Sequence, residues 1–258
     1  PLIHQQKDDI SLFYQQAFWH ALTCYKDLYS KGFNFSHDWC GLLEISYKAA
    51  LEKRQNTFQQ SSPWPKELIT SVNTEKASEL AGITLQHGGL FMPNAGWIAP
   101  AELVQQLFLA SEKTELLTIK NQVSVTKINQ QPDNSWQLET NIGSINEALV
   151  IFCGGAESIK LNIIDELPLS SVRGQITTLA TNNHIKNLST VICHKGYLTP
   201  AHQQQHCIGA TFEKNSFDIT ATNEGDQYNL TMLEKCLPKL ISWSEQDITA
   251  SKARLRCM

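Results

Sequence analysis

Leu149-Val150-Ile151-Phe152-Cys153-Gly154-Gly155-Ala156 is an apolar, strand-like run that ends in paired glycines. It reads either as a buried strand closed by a tight turn, or as a place where backbone without Cβ atoms comes close to a bound ring or phosphate. The pattern leaves both open, and its flanks say more. Upstream, strand-like runs at Leu116 to Ile128, Ser135 to Thr140 and Ile145 to Cys153 are separated by the turn signals Gln131-Pro132-Asp133-Asn134 and Asn141-Ile142-Gly143, which predicts an antiparallel meander. Downstream, runs at Val172 to Ala180, Thr190 to His194, Gly196 to Thr199 and Cys207 to Phe212 predict a second sheet. A helix from Glu224 to Cys236, ended by Pro238, follows it.

The N-terminal part is mostly helical. From Ile10 to Tyr29 apolar residues recur at three- and four-residue spacing and Lys31-Gly32 follows as a stop. A short strand is expected within Cys40 to Ile45, then a polar helix from Leu51 to Phe58 and a break at Ser61-Ser62-Pro63-Trp64-Pro65. Asn73 or Thr74 caps a short helix closing at Ala81-Gly82, and Pro100 opens an amphipathic helix carrying Leu103, Val104, Leu107 and Phe108. Helices, a meander and a second sheet with no Pro/Gly/Ser linker between them predict two interleaved domains in a mixed α+β or α/β chain.

The bulk numbers exclude some classes. The 258 residues, 41% of them hydrophobic, suffice for a sizeable core, and 21 basic against 25 acidic residues give a net charge of -4. That lacks the basic excess of a protein that holds nucleic acid chiefly through its phosphates, so any RNA contact is local or supplied elsewhere, and DNA binding is not expected. There is no apolar run long enough to span a membrane, and the seven scattered cysteines lack CxxC spacing. They read as free thiols in a reducing cytoplasm rather than disulfides or metal ligands, and no metal site is expected. The sequence starts without Met and stops within the strand-like Arg254-Leu255-Arg256-Cys257-Met258, which reads as a piece of a longer protein.

Three further stretches offer chemistry. The loop His87 to Pro100, punctuated by Gly88, Gly89 and Gly96, leads straight into a helix whose first amides could face an anion, or it merely links two elements. Ser171-Val172-Arg173-Gly174-Gln175 sets one cation beside a glycine in an apolar strand. Arg173 there could hold a carboxylate, a phosphate or a structural partner. His206, opening an apolar strand, suits a structural role better than a catalytic one.

In order along the chain, Phe35-Ser36-His37-Asp38-Trp39-Cys40-Gly41, His87 through Pro100, Pro168 through Gln175, His194 through Pro200 and His206 through Thr211 resemble the FAD-dependent half of the bifunctional MnmC enzymes, which make 5-methylaminomethyl-2-thiouridine in tRNA. The resemblance covers nearly the whole chain. It implies a fold of D-amino acid oxidase and glycine oxidase type, with a partial FAD-binding domain at 1–32, 98–164 and 246–258 and an antiparallel-sheet substrate domain at 33–97 and 165–245. It also implies that FAD oxidises the carboxymethylamino nitrogen of a wobble uridine, releasing the arm as glyoxylate. A separate methyltransferase domain using S-adenosyl-L-methionine would act next.

By the same resemblance, Arg256 falls on the substrate-carboxylate position, where an arginine fork binds bidentately, and Tyr197 on a pocket-lining aromatic hydroxyl. Cofactor contacts are expected at Val123, Gly154, Gly155, Gly88, Gly89, Arg173 and Gly174. Two departures stand out. No GxGxxG follows a strand, so this chain is not expected to retain FAD alone, and Arg254 stands where the family tends to have a small residue. The competing readings are a free amino acid oxidase of glycine or sarcosine type and a non-catalytic binding remnant.

Overall fold

The computed structural model describes residues 3–4, 6–114, 116–161, 169–238 and 243–258. In chain order the elements begin with α1 (Asp9–Ser30), β1 (His37–Asp38), β2 (Leu42–Ile45), α2 (Ala49–Ser61), β3 (Thr70–Val72), α3 (Thr74–Ala81), β4 (Gly89–Met92), β5 (Trp97–Ile98) and α4 (Pro100–Glu112). The meander β6 (Val125–Gln130), β7 (Trp136–Thr140) and β8 (Gly143–Glu147) follows, then β9 (Ser171–Ala180), β10 (Val191–Cys193), β11 (Tyr197–Leu198), β12 (Gln205–Gly209), β13 (Glu213–Lys214), α5 (Asn223–Cys236) and β14 (Ile248–Cys257).

Two compact units are each assembled from separate segments. Unit 1 comprises Pro1–Leu117, Ile176–Ala210 and Asn223–Ser251; unit 2 comprises Thr118–Gln175, Thr211–Thr222 and Lys252–Met258. The contacts group α1 and α4 with unit 1, because Leu28 and Leu103 pack there with Phe35, whereas the sequence reading assigned both helices to a partial cofactor domain.

Local signals explain most helix ends. The Asp8 carboxylate accepts the Ser11 amide at 2.8 Å at the start of α1, and Asn73 accepts the Lys76 amide at 2.9 Å at the start of α3. Gly82 closes α3 at φ 69°, a left-handed conformation that costs glycine little. The periodic apolar face of α1 is only partly covered: Leu22 and Leu28 are buried while Phe13 remains 66% exposed.

In unit 1, the second half of β9 pairs in sequence with β12, β11 and β10, then with β2, β4 and β3. Every pairing is antiparallel except β10 with β2. Alternation assigns the side chains to two faces. Leu43, Ile45, Ile192, Leu198, Ile208 and Leu179 turn to one face and form a core with Leu230 and Leu233 of α5 and Ala77 and Ala81 of α3. Each such large side chain, when fully buried, contributes about 1.5 to 3 kcal/mol. Leu42, Val191, Cys193, Tyr197 and Cys207 turn to the other face.

Unit 2 holds the three-stranded meander and the first half of β9. That half pairs with β13, and Ser170 exchanges backbone hydrogen bonds with Met258 at the end of β14. The opening stretch differs from expectation here. β8 stops at Glu147, and Leu149 and Ile151 are 73% and 77% exposed. Backbone needs a neighbour to form a ladder, and none of the described strands pairs with 148–154. The run expected from Leu116 likewise becomes strand only at Val125.

Within unit 1, a buried polar knot fastens α5 to β9 and β14. Asp226, 6% exposed, accepts from Thr177 of β9 at 2.5 Å and from Ser251 of β14 at 2.7 Å, and Asn229 donates to the Thr177 hydroxyl at 3.0 Å. Asp226→Ala strands these donors and is expected to cost about 2 to 4 kcal/mol, and Asp226→Asn less. Urea unfolding measures both, and equal losses would show that acceptor chemistry at Asp226 is immaterial.

Candidate functional site

The open face of the unit 1 sheet lines a cavity of about 540 Å³. Its floor is built by Ile176 and Thr178 of β9, Val191 and Cys193 of β10, Tyr197 of β11 and Cys207 of β12. The segment Gly96 to Pro100 forms a further wall, where the Trp97 ring sits 5.1 Å from the exposed His202 imidazole. The floor residues follow the i, i+2 rule in every strand, a signal already present in the sequence. Sequence reasoning singled out Tyr197 and missed Thr178, Cys193, Gln205 and Cys207.

Burial controls the chemistry of this wall. It pushes the Cys193 thiol up to about 12, with nearby Glu44 adding to the effect, and raises Cys207 against the opposing influence of a hydrogen bond with Tyr197. His206 is fully buried, and burial lowers its pKa although the bond to Thr199 works the other way. Its Nδ1 lies 2.8 Å from the Thr199 carbonyl and its Nε2 2.9 Å from the Thr181 hydroxyl. In the tautomer these contacts require, Nδ1 donates and Nε2 accepts, so the ring is neutral, occupied and structural.

The glycines of the His87 to Pro100 loop answer to their own sheet. A Cβ on Gly89 would meet the Glu44 carbonyl, and one on Gly88 would meet that of Val72. The helix that follows already carries an anion in its first turn, Glu102, which accepts the Ser36 amide at 2.6 Å and is thereby held below the usual carboxylate range.

Unit 2 holds the other predicted residues. Arg173, 2% exposed, donates to Glu213 at 2.5 Å, to Gln175 at 3.0 Å and to the Thr220 carbonyl. Of the alternatives open at Arg173, the structural partner is what the geometry displays; its cation ties β9 to β13 and the loop beyond. The next residue, Gly174, faces the other way, and a Cβ there would overlap the Arg256 guanidinium. Arg256 itself is exposed and has no hydrogen-bond or ion-pair partner among the described residues. Gly174 and Arg256 are therefore brought together as a planar cation laid on bare strand. Arg254, two residues earlier, caps the Ala253 carbonyl at 2.6 Å.

Val123 is half-buried just before β6. Gly154 and Gly155 are exposed at the start of a short 3₁₀ helix, Gly155–Lys160. All seven cysteines are free, Cys24 and Cys153 being exposed, and no metal-binding cluster occurs among the described residues. No described helix is long and apolar enough to cross a membrane.

A family profile for FAD-dependent oxidoreductases, DAO, matches residues 2–258. The chain belongs to that family. It is 31% identical, over its full length, to the tRNA 5-methylaminomethyl-2-thiouridine biosynthesis bifunctional protein MnmC of Pseudoalteromonas atlantica, and 32% identical to that of Pseudoalteromonas translucida. It spans 39% of each of these relatives. Among solved structures, glycine oxidase from Geobacillus kaustophilus superimposes with a TM-score of 0.80 at 18% identity, over 99% of this chain and 69% of that one. Glycine oxidase from Bacillus cereus gives 0.80 at 20%, over 100% and 72%. These likenesses establish the mixed helix-and-sheet fold of glycine oxidase type.

Family membership implies FAD, and the residues present fit part of it. Gly155, at φ 56° with open space where a Cβ would stand, leaves room for a ligand beside the backbone. A diphosphate is less well served, because the first turn there carries Glu157 and the chain has no GxGxxG.

The 258-residue chain alone is expected to purify colourless, and flavin absorbance approaching one per chain would show that the remaining contacts suffice. A pH effect is also expected. Burial holds His194 at about 4, below its ordinary 6.5, so its contribution is complete above pH 6.5 and is lost as pH falls toward 4 while the unfolded chain takes up the proton. The urea midpoint should therefore drop between pH 7 and 4.5, and less steeply in His194→Gln; parallel slopes would assign the effect to other groups.

Proposed function

We propose that this chain is the catalytic-site-bearing part of an FAD-dependent oxidoreductase that removes the carboxymethyl arm of 5-carboxymethylaminomethyl-2-thiouridine at the tRNA wobble position. The observation that carries this reading is the end-to-end similarity to MnmC proteins. In this reading the complete cytoplasmic enzyme also bears a methyltransferase domain that uses S-adenosyl-L-methionine and acts on the amine left behind.

The chemistry asks for an anion anchor. The exposed, unpartnered guanidinium of Arg256 over Gly174 supports assigning it the carboxylate of the arm, and a fork of parallel N–H donors fixes that carboxylate's orientation. Tyr197 is assigned to the pocket wall, and Gly154, Gly155 and Val123 to the cofactor side. Bound FAD supplies the two-electron acceptor for the carbon between amine and carboxylate; water then releases the arm as glyoxylate and leaves the aminomethyl group. With the amine arriving neutral no general base is needed, in keeping with the fully bonded His206.

In the complete enzyme, Arg256→Lys is expected to weaken substrate binding by about 1.5 to 3 kcal/mol through loss of the bidentate contact, and unchanged kinetics on undermodified tRNA would remove Arg256 from the site. The substrate class is tested by anaerobic flavin reduction with undermodified tRNA, free glycine and free sarcosine at matched concentration. Bleaching by tRNA is expected. Rapid bleaching by the amino acids alone would replace this reading with a free amino acid oxidase.

A further inference from the structure

We propose that the exposed face where α1 meets the extended segment 35–39 is a docking platform for unpaired bases of RNA. The inference rests on the tRNA reading above and adds to it a surface of unit 1 that holds the RNA itself.

Extended backbone turns every second side chain to the same side. Phe35, His37 and Trp39 therefore form a ladder, with ring centroids 4.9 Å apart at each step. Tyr29 of α1 closes on it from the helix, 4.7 Å from His37 and 5.9 Å from Phe35. Phe35 is buried with Leu28 and Leu103 and anchors the ladder, whereas His37 and Trp39 are half-buried and Tyr29 is 45% exposed. The His37 Nδ1 donates to the Phe35 carbonyl at 2.9 Å, which holds the imidazole in place. Rings fixed by a strand and a helix present stacking surface at little ordering cost.

The uncompensated charges beside the ladder are cationic. The Lys26 ammonium stands 5.9 Å from the Trp39 ring centroid, and that of Lys113 stands 4.5 Å from the Phe33 ring centroid. Neither lysine has an ion-pair partner among the described residues. The nearby carboxylates are committed elsewhere. Asp27 pairs with Lys31 at 2.6 Å, Glu102 accepts the Ser36 amide at 2.6 Å, and Asp38 alternates to the side opposite His37 and Trp39. An apolar protein partner would bury these ammonium groups without a counter-charge. A polyanion carrying flat rings satisfies both features at once. With a net charge of -4 over the chain, such a small group of unpaired cations is the local contact that RNA requires.

The test uses the full-length holoenzyme and undermodified tRNA. Acetylation of surface lysines reads the face directly: Lys26 is expected to react in the free enzyme and to be protected when tRNA is bound. Tyr29→Ala should weaken tRNA binding about five- to tenfold and raise KM with kcat at saturation retained. Tyr29→Phe, which keeps the ring, should bind as wild type. Lys26→Gln should lower the slope of log affinity against log salt by about one. Thermal melts of all three variants are read alongside and should match wild type. Unchanged affinity in Tyr29→Ala, with Lys26 acetylated equally in the presence and absence of tRNA, overturns the proposal. So does a Lys26 that is unreactive before tRNA is added, which would give the face to another part of the polypeptide. If tRNA fails to bleach the flavin while its binding still responds to Tyr29→Ala, the platform stands and the wobble-uridine reading falls. If tRNA bleaches the flavin while Tyr29→Ala and Lys26→Gln bind it as wild type does, the tRNA reading stands and the platform falls.

Discussion

The period-two alternation of a β-strand is the constraint on which the unit 1 architecture depends. One sheet must offer a dry face to α3 and α5 and, from the intervening positions, an open face lining a cavity. Ile192 and Leu198 pair across β10 and β11 on the dry side while Cys193 and Tyr197 pair on the open side. A slip of one residue in either strand would exchange the two sets, placing Tyr197 in the core and Leu198 in the cavity. Core packing therefore fixes the register that places the cavity-lining side chains, and the Asp226 knot presses α5 onto that register from behind.

The same rule explains the division of labour at Arg173 and Gly174 in unit 2. Consecutive strand residues face opposite ways, so a cation that ties down β13 and the loop to Thr222 can stand next to a position kept bare for a second cation. Arg173 spends its donors on protein, whereas Arg256 keeps its own. Two arginines close in space thus play unlike parts, and the difference comes from hydrogen-bond partners rather than from residue type.

Much of this was legible in the sequence, for reasons particular to each element. Capping residues and glycine stops gave α1 and α3 to within a residue or two, and turn signals gave the three strands of the meander. The Leu149 to Ala156 run was misleading as a strand because its apolarity speaks to burial, and burial depends on a pairing partner that local pattern cannot supply. Tyr197 and Arg256 were singled out through family resemblance. Cys193, Cys207 and Thr178 were hidden because an apolar or small residue on the open face of a sheet looks, in one dimension, the same as one on the closed face. What distinguishes them is pairing between strands far apart in the chain, as in Cys207 with Thr178.

The raised thiol of Cys193 has a further consequence for durability. Burial pushes its pKa up to about 12, so the thiol stays protonated at neutral pH, and the thiolate is the species that oxidants and alkylating reagents attack. The sulfur lining the cavity is kept inert by the apolar burial that shapes it. Such reagents would instead meet the solvent-facing sulfurs of Cys24 and Cys153, so labelling chemistry can decorate the outside of the protein while its interior surface ages slowly.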